Sequence, residues 1–221
     1  MNGRFQNRKE AGRILASKLE KFTNHPDAVV LALPRGGVPV GFEVARELNL
    51  PLDVLLVRKL GVPGHEELAM GSIASGGVRY LNRAVIESFH IRPEVLEETE
   101  RREALELMRR EALYRGNRPP LNVEGRTVIL VDDGVATGST VRVAIQVLRS
   151  QHAGHIVVAT PAAPPAAKWE IAPLVDDFIA VVTPEEFYGV GQFYEDFSQT
   201  DDDTVYELLK MGSHPRQELV G

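Results

Sequence analysis

Asp132 and Asp133 stand side by side at the end of an apolar run and open a stretch of glycine and small hydroxyl residues, "VILVDDGVATGST" over 128–140. Ionised carboxylates only accept hydrogen bonds, so such a pair suits a vicinal diol, and a divalent cation is the second partner it could hold. The residues that follow, Gly134, Val135, Ala136, Thr137, Gly138, Ser139 and Thr140, offer complementary chemistry. Gly134 and Gly138 let the backbone turn and approach a ligand closely. The amides converge where a helix begins, and Thr137, Ser139 and Thr140 add hydroxyl donors. A diol reader beside a phosphate cradle describes a ribose 5-phosphate site. Two rival phosphate motifs fit less well. A P-loop carries lysine directly before its Ser/Thr, where this chain has Gly138. A dinucleotide fingerprint carries its acid about 20 residues after the glycines, not before them. The plain alternative is an acidic strand end followed by a capped helix.

The elements that must position these groups follow from hydrophobic periodicity. Residues 6–22 have helical spacing, "AVVLALP" (28–34) reads as a buried strand, and 38–49 returns to helical period. "LDVLLVRKL" (52–60) reads as a second buried strand. Residues 61–77, rich in glycine and small side chains, read as a long mobile loop or ribbon. A short strand at 78–82, a helix near 82–89 and a charged helix over 93–115 follow. That helix carries the i,i+4 pairs Glu97–Arg101, Glu98–Arg102 and Glu106–Arg110, the marks of a solvated face over a core. Strands at 127–132, 155–160 and 177–182 alternate with helices at 138–150 and 165–173. The alternation predicts an α/β fold with a mainly parallel sheet flanked by helices. In such sheets ligands sit outside the carboxyl ends of the strands, where Asp132 and Asp133 lie.

The acid pair and the loop ending Thr137-Gly138-Ser139-Thr140 resemble the PRPP-binding signature of the type I phosphoribosyltransferase family. Three further stretches are similar to family elements in the same order. "LPRGGVPVG" (33–41) looks like the pyrophosphate loop, which implies Arg35, Gly36 and Gly37 as pyrophosphate binders and a cis Pro34–Arg35 peptide. "VRKLGVPGHEELAMGSIASGG" (57–77) lies where the family has a basic strand end and a flexible catalytic loop. Arg58 and Lys59 would then reach pyrophosphate, and Glu66 and Glu67 would be the catalytic acid/base candidates. "TPEEFYGVGQFYEDF" (183–197) resembles the base-binding hood, which implies base contacts from Val182, Phe187, Tyr188, Phe193 and Tyr194. The resemblance implies one domain over 1–221, with its core over about 25–182 and a small hood over about 183–200 to which the N-terminal segment could add. The closest subgroup is that of bacterial phosphoribosyltransferases with no assigned acceptor.

The implied reaction moves the 5-phosphoribosyl group from PRPP to a nitrogenous base with release of pyrophosphate. Asp132 and Asp133 are implied as catalytic residues on the diol, and Mg2+ is implied as cofactor, touching these acids weakly and held mostly through PRPP and water. In 6-oxopurine enzymes the residue before the loop's Thr-Gly is aspartate, whereas here it is Ala136, as in adenine-type enzymes. The alternative is a non-catalytic PRPP or nucleotide sensor, and a nucleotide hydrolase is a further rival. The family also implies a homodimer.

Composition bounds these readings. Of the 221 residues 43% are hydrophobic and 25% charged, and the net charge of −6 argues against nucleic acid or an anionic membrane as a partner. With no cysteine, thiolate nucleophiles and zinc–thiolate sites are excluded. The polar start "MNGRFQNRKEAG" and the lack of a long apolar run lead to the expectation of a cytoplasmic protein. His65-Glu66-Glu67 lacks the second histidine of a zinc-protease helix. His152 and His155 are read as lying at a helix end and a strand start, Asp201 to Asp203 as the cap of the last helix, and Trp169 as a packed side chain.

Overall fold

A computed structural model describes residues 4–116 and 118–212. Five parallel strands form the main sheet in the order β2-β1-β6-β7-β8: β1 (Ala28–Ala32), β2 (Leu52–Val54), β6 (Thr127–Val131), β7 (His155–Ala162) and β8 (Asp177–Val182). The expected α/β class and mainly parallel sheet are thus present. Side chains alternate between the sheet's two faces. Val30, Ala32, Ile129 and Val131 pack against α1 (Arg8–Ser17), α2 (Gly37–Leu48) and α7 (Asp202–Gly212). Val29, Leu31, Val128 and Leu130 pack against α5 (Ser139–Ser150) and α6 (Pro165–Ile171).

The chain leaves β1 toward β2 on one side, and β6 adds to its other side in register Ala28↔Thr127 to Ala32↔Val131. The sheet order therefore reverses between β1 and β6, and a crevice forms there, outside the carboxyl ends of both strands. The loop 33–36 and the acids Asp132 and Asp133 are the two walls of that crevice.

Four expectations need correction. The run 52–60 is two strands. Leu55 donates its N–H to Ala32 at the edge of the main sheet, and the chain then crosses to β3 (Val57–Val62) in a separate antiparallel sheet, β3-β4-β5. Leu55 and Leu56 are both buried at the crossing, so no polar residue marks the break. The stretch 61–77 contains the ten-residue β4 (His65–Ala74), paired on both sides by β3 and β5 (Val78–Leu81). Its small residues serve close packing: a Cβ on Gly71 would lie 2.6 Å from the carbonyl oxygen of Tyr80. Helix α3 (Arg83–Ser88) and the 23-residue α4 (Pro93–Arg115) follow where expected. On α4 Glu106 pairs with Arg110, whereas Glu98 pairs with Arg101, one residue short of the expected spacing. Trp169 is 79% exposed and does not pack into the core. No helix among the described residues is long and apolar enough to cross a membrane.

Candidate functional site

The acid pair sits where β6 ends. Asp133 donates its N–H to Asp132 Oδ1 at 2.9 Å, and its own Oδ2 accepts from Arg8 Nε at 2.8 Å. Burial, and then the charge of Asp133, holds the Asp132 carboxyl well above the usual carboxylate range. Burial also raises Asp133, against the lowering effect of Arg8. Two adjacent, half-buried carboxylates repel each other when ionised, so a cation or hydrogen-bond donors placed on them are favoured.

Beyond the acids, Val135 donates its N–H to the Ala162 carbonyl at 2.9 Å, which fastens the loop to the end of β7. Gly138 adopts φ +70°, a left-handed conformation suited to glycine, and heads α5 with no side-chain cap. A Cβ there would lie 2.6 Å from Ile171 Cδ1, so α6 holds the turn closed from behind. The first turn of this 12-residue helix borders a pocket of about 190 Å³, lined by Asp132, residues 134–141 and Val190, and the Ser139 N–H donates to Thr137 Oγ1 at 3.5 Å. Ala136, Thr137, Ser139 and Thr140 are exposed at its mouth, and the Thr137 and Ser139 hydroxyls lie 3.3 Å apart.

The opposite wall is the loop after β1. The Pro34–Arg35 peptide is cis, as the resemblance implied. A Cβ on Gly36 would lie 2.0 Å from Asp133 Oδ2, and one on Gly37 2.8 Å from the Val131 carbonyl, so the loop lies directly on the acid pair. Arg35 reaches the first turn of α7, with Nη1 3.8 Å from Asp202 Oδ1. That oxygen also accepts from Tyr114, whose hydroxyl is pushed up to about 12 by burial and this bond. The cap of α7 falls to Asp201, which accepts from Thr204 N–H at 2.8 Å.

Arg58, Lys59 and Glu66 gather elsewhere, in a pocket of about 380 Å³ between the β3–β4 hairpin and α4. Arg58 Nε donates to Glu103 at 2.9 Å. Glu66 is fully exposed and accepts from the Gly64 N–H, and such backbone bonds lower its pKa, which weakens it as a proton acceptor. The side chain of Glu67 lies outside the described residues. The hood also divides. Phe193 and Tyr194 are buried with Phe5 and Ala11 in a small apolar cluster of their own, so they are core and not a ligand platform. Tyr194 donates its hydroxyl to the Asp133 carbonyl at 2.5 Å, and burial, then the charge of Asp133, raises its pKa. Phe187 is half-buried with its ring 5.0 Å from that of Phe193, the Val182 carbonyl accepts from Ala163 N–H, and Tyr188 is 88% exposed.

Arg8, Val190 and Asp202 are the site neighbours that the sequence did not mark for this place. Arg8 is 125 residues from Asp133, and nothing in its local pattern points there. Val190 packs so tightly on the acid loop that a Cβ on Gly134 would lie 2.3 Å from its Cγ1.

The description of the phosphoribosyl transferase domain matches residues 5–184, which takes in both walls of the crevice. The chain belongs to the type I phosphoribosyltransferase family. Two Mycobacterium tuberculosis proteins, named "Putative phosphoribosyl transferase" MT0597 and Rv0571c, are each 44% identical over 205 residues, 93% of this chain and 46% of theirs. The chain thus spans about half the length of these curated relatives. The crystal structure of TT1426 from Thermus thermophilus superposes with a TM-score of 0.86 at 38% identity, covering 95% of this chain and 99% of that one.

Proposed function

We propose that the protein transfers the 5-phosphoribosyl group from PRPP to a nitrogenous base and releases pyrophosphate. The observation that carries this reading is the juxtaposition of three groups in one crevice: two half-buried carboxylates, the N-terminus of α5 behind a glycine loop, and a glycine pair pressed against the acids. The 5-phosphate accepts from the amides and hydroxyls of residues 134–140. Asp132 and Asp133 accept from the ribose hydroxyls and favour the positive charge that builds on the ring as the C1–oxygen bond to pyrophosphate breaks. Arg35 and the amides of Gly36 and Gly37 hold the departing pyrophosphate, with Arg35 exchanging Asp202 for phosphate oxygens. The acceptor nitrogen attacks C1 from the face opposite the leaving group, and the pyrophosphate takes the bonding pair.

Magnesium fits this donor set. Asp133 Oδ2 is already bonded to Arg8, and among the described residues no three His, Cys, Asp or Glu side chains converge on a point. Such a site suits an ion that keeps several waters and takes other oxygens from the substrate, with Asp132 and Asp133 as the nearest protein carboxylates. When bound, it neutralises charge on the leaving pyrophosphate. With Ala136 in the phosphate loop and Phe193 and Tyr194 in the hood core, Tyr188 and Phe187 remain as aromatic candidates for the acceptor.

The test is magnesium-dependent pyrophosphate release from PRPP with adenine, guanine, hypoxanthine, xanthine, uracil and orotate in turn. Release with one base, lost in Asp132→Asn/Asp133→Asn, is the expected result. Tight PRPP binding without release for any base would favour a PRPP sensor instead. In keeping with the family resemblance, we propose that this stretch forms one transferase domain and that the protein is a cytoplasmic homodimer.

A further inference from the structure

The N-terminal segment and the hood form one unit. Phe5 donates its N–H to the Phe193 carbonyl at 2.8 Å, Glu195 donates back to Phe5 at 2.8 Å, and Asp196 to Gln6 at 2.9 Å. The Phe5 ring lies 5.5 Å from that of Tyr194. Asn7 then caps α1, accepting from the N–H groups of Lys9 and Glu10, and so fixes the direction in which the first helical residue points.

That residue is Arg8, and its planar fork works in two directions. Nη1 donates to the Ser198 carbonyl at 2.7 Å, and the guanidinium carbon lies 4.0 Å from the centre of the Phe197 ring, so one side of the group belongs to the hood. Nε donates to Asp133 Oδ2 at 2.8 Å, and only 11% of the side chain is exposed. On the far side of the same oxygen stands Gly36, too close to admit a Cβ. Asp133 Oδ2 is boxed between α1 and the β1–α2 loop, which leaves Oδ1 as the oxygen for a ligand. Tyr194, buried in the hood, holds the backbone of the same aspartate through its carbonyl. The hood therefore grips Asp133 twice, by main chain and by side chain.

We propose that Arg8 is a positioning residue that orients Asp133 toward the ribose hydroxyls and ties that orientation to the seating of the hood, an inference that rests on the ribose site proposed above. Arg8 touches no reacting atom and acts through Asp133. Lysine keeps the charge but reaches only one of the two oxygen partners, because the fork is what spans them.

The experiment is a double-mutant cycle on PRPP affinity, measured calorimetrically with Mg2+ on the full chain as wild type, Arg8→Gln, Asp133→Asn and the double variant. In the wild-type background Arg8→Gln weakens binding about 10-fold, the effect of one lost charge-assisted hydrogen bond. In the Asp133→Asn background the same change has an effect of about 2-fold or less, because the residue it acts through is gone. Arg8→Lys recovers part of the loss. Equal factors in the two backgrounds would overturn the inference, since a merely structural arginine weakens both alike. Thermal melting shows whether Arg8→Gln folds; if it does not, the cycle is run with Arg8→Lys and read by the same criterion. If the wild-type chain binds no PRPP, the proposed function fails and this inference with it, whereas binding with additive effects removes the inference alone.

Discussion

Gly36 is where the β1–α2 loop meets Asp133, and changing it to alanine sets two effects against each other. Its backbone, φ −60° and ψ −33°, is right-handed helical, so alanine adopts it without strain. In open space the substitution would stabilise the protein by about 0.4–1 kcal/mol, through the entropy of the unfolded chain. The space is closed. A Cβ would lie 2.0 Å from Asp133 Oδ2 and 2.6 Å from its Cγ, so the carboxylate must swing away. Arg8 Nε, 2.8 Å from that oxygen, then loses its partner. A hydrogen bond between charged groups is worth about 1.5–3 kcal/mol. The balance is a net loss centred on about 1.5 kcal/mol, or a fall in Tm of roughly 3–6 °C for a chain of this size. PRPP affinity falls by about 10-fold or more, because the displaced carboxylate no longer meets the ribose. Denaturant unfolding and calorimetric titration measure the two effects separately. A Gly36→Ala protein that melts at or above the wild-type temperature and binds PRPP unchanged would refute the reasoning, because Asp133 would then not be held between Gly36 and Arg8.

Asp132→Asn reverses the usual cost of mutating a functional site. The folded Asp132 carboxyl has a raised pKa, from burial and then from Asp133, so its contribution to stability is full below the unfolded value of about 3.9 and falls as pH rises toward the folded value. Asparagine carries no such penalty, so the variant gains melting temperature relative to wild type as pH increases from acid to neutral while PRPP binding is lost; a flat or opposite trend would contradict the assignment. Arg115→Met strands the buried Asp53, which Arg115 Nε engages at 3.0 and 3.1 Å, and costs about 3–5 kcal/mol in urea unfolding. A loss below about 1 kcal/mol, of the size seen for surface pairs, would show that this pair is not buried. In the hood, Phe193→Ala costs about 3–5 kcal/mol as a core truncation. Tyr188→Ser changes stability by about 0.5 kcal/mol or less, as expected of a side chain 88% exposed, and a matching loss in both variants would argue against the division of the hood into core and surface.

The order and class of the elements were legible because strongly periodic segments keep their identity in the fold: 93–115 is one helix and 177–182 one strand. The acid pair was legible for a different reason, since diol and phosphate chemistry need carboxylates, glycines and hydroxyls within a dozen residues of one another. Contacts made only by folding left no such trace. Arg8 meets Asp133 across 125 residues, and Val190 meets Gly134 from the hood. The break at Leu55 and Leu56 was hidden because both residues are buried, one on each side of a crossing between sheets. Gly71 and Ser72 read as loop residues because small side chains serve tight strand packing as well as mobility. Arg58, Lys59 and Glu66 carry the right charges but line a separate pocket beside α4, because the β3–β4 pairing, not charge, decides where this hairpin lies.

That second pocket makes the decisive measurement a structural one: a crystal structure of the protein with ribose 5-phosphate. The phosphate is expected on the amides of residues 134–140 and the ribose hydroxyls on Asp132 and Asp133, with Arg8 still bonded to Asp133. A sugar phosphate bound instead between Arg58, Lys59 and Arg102, with the acid pair untouched, would contradict it.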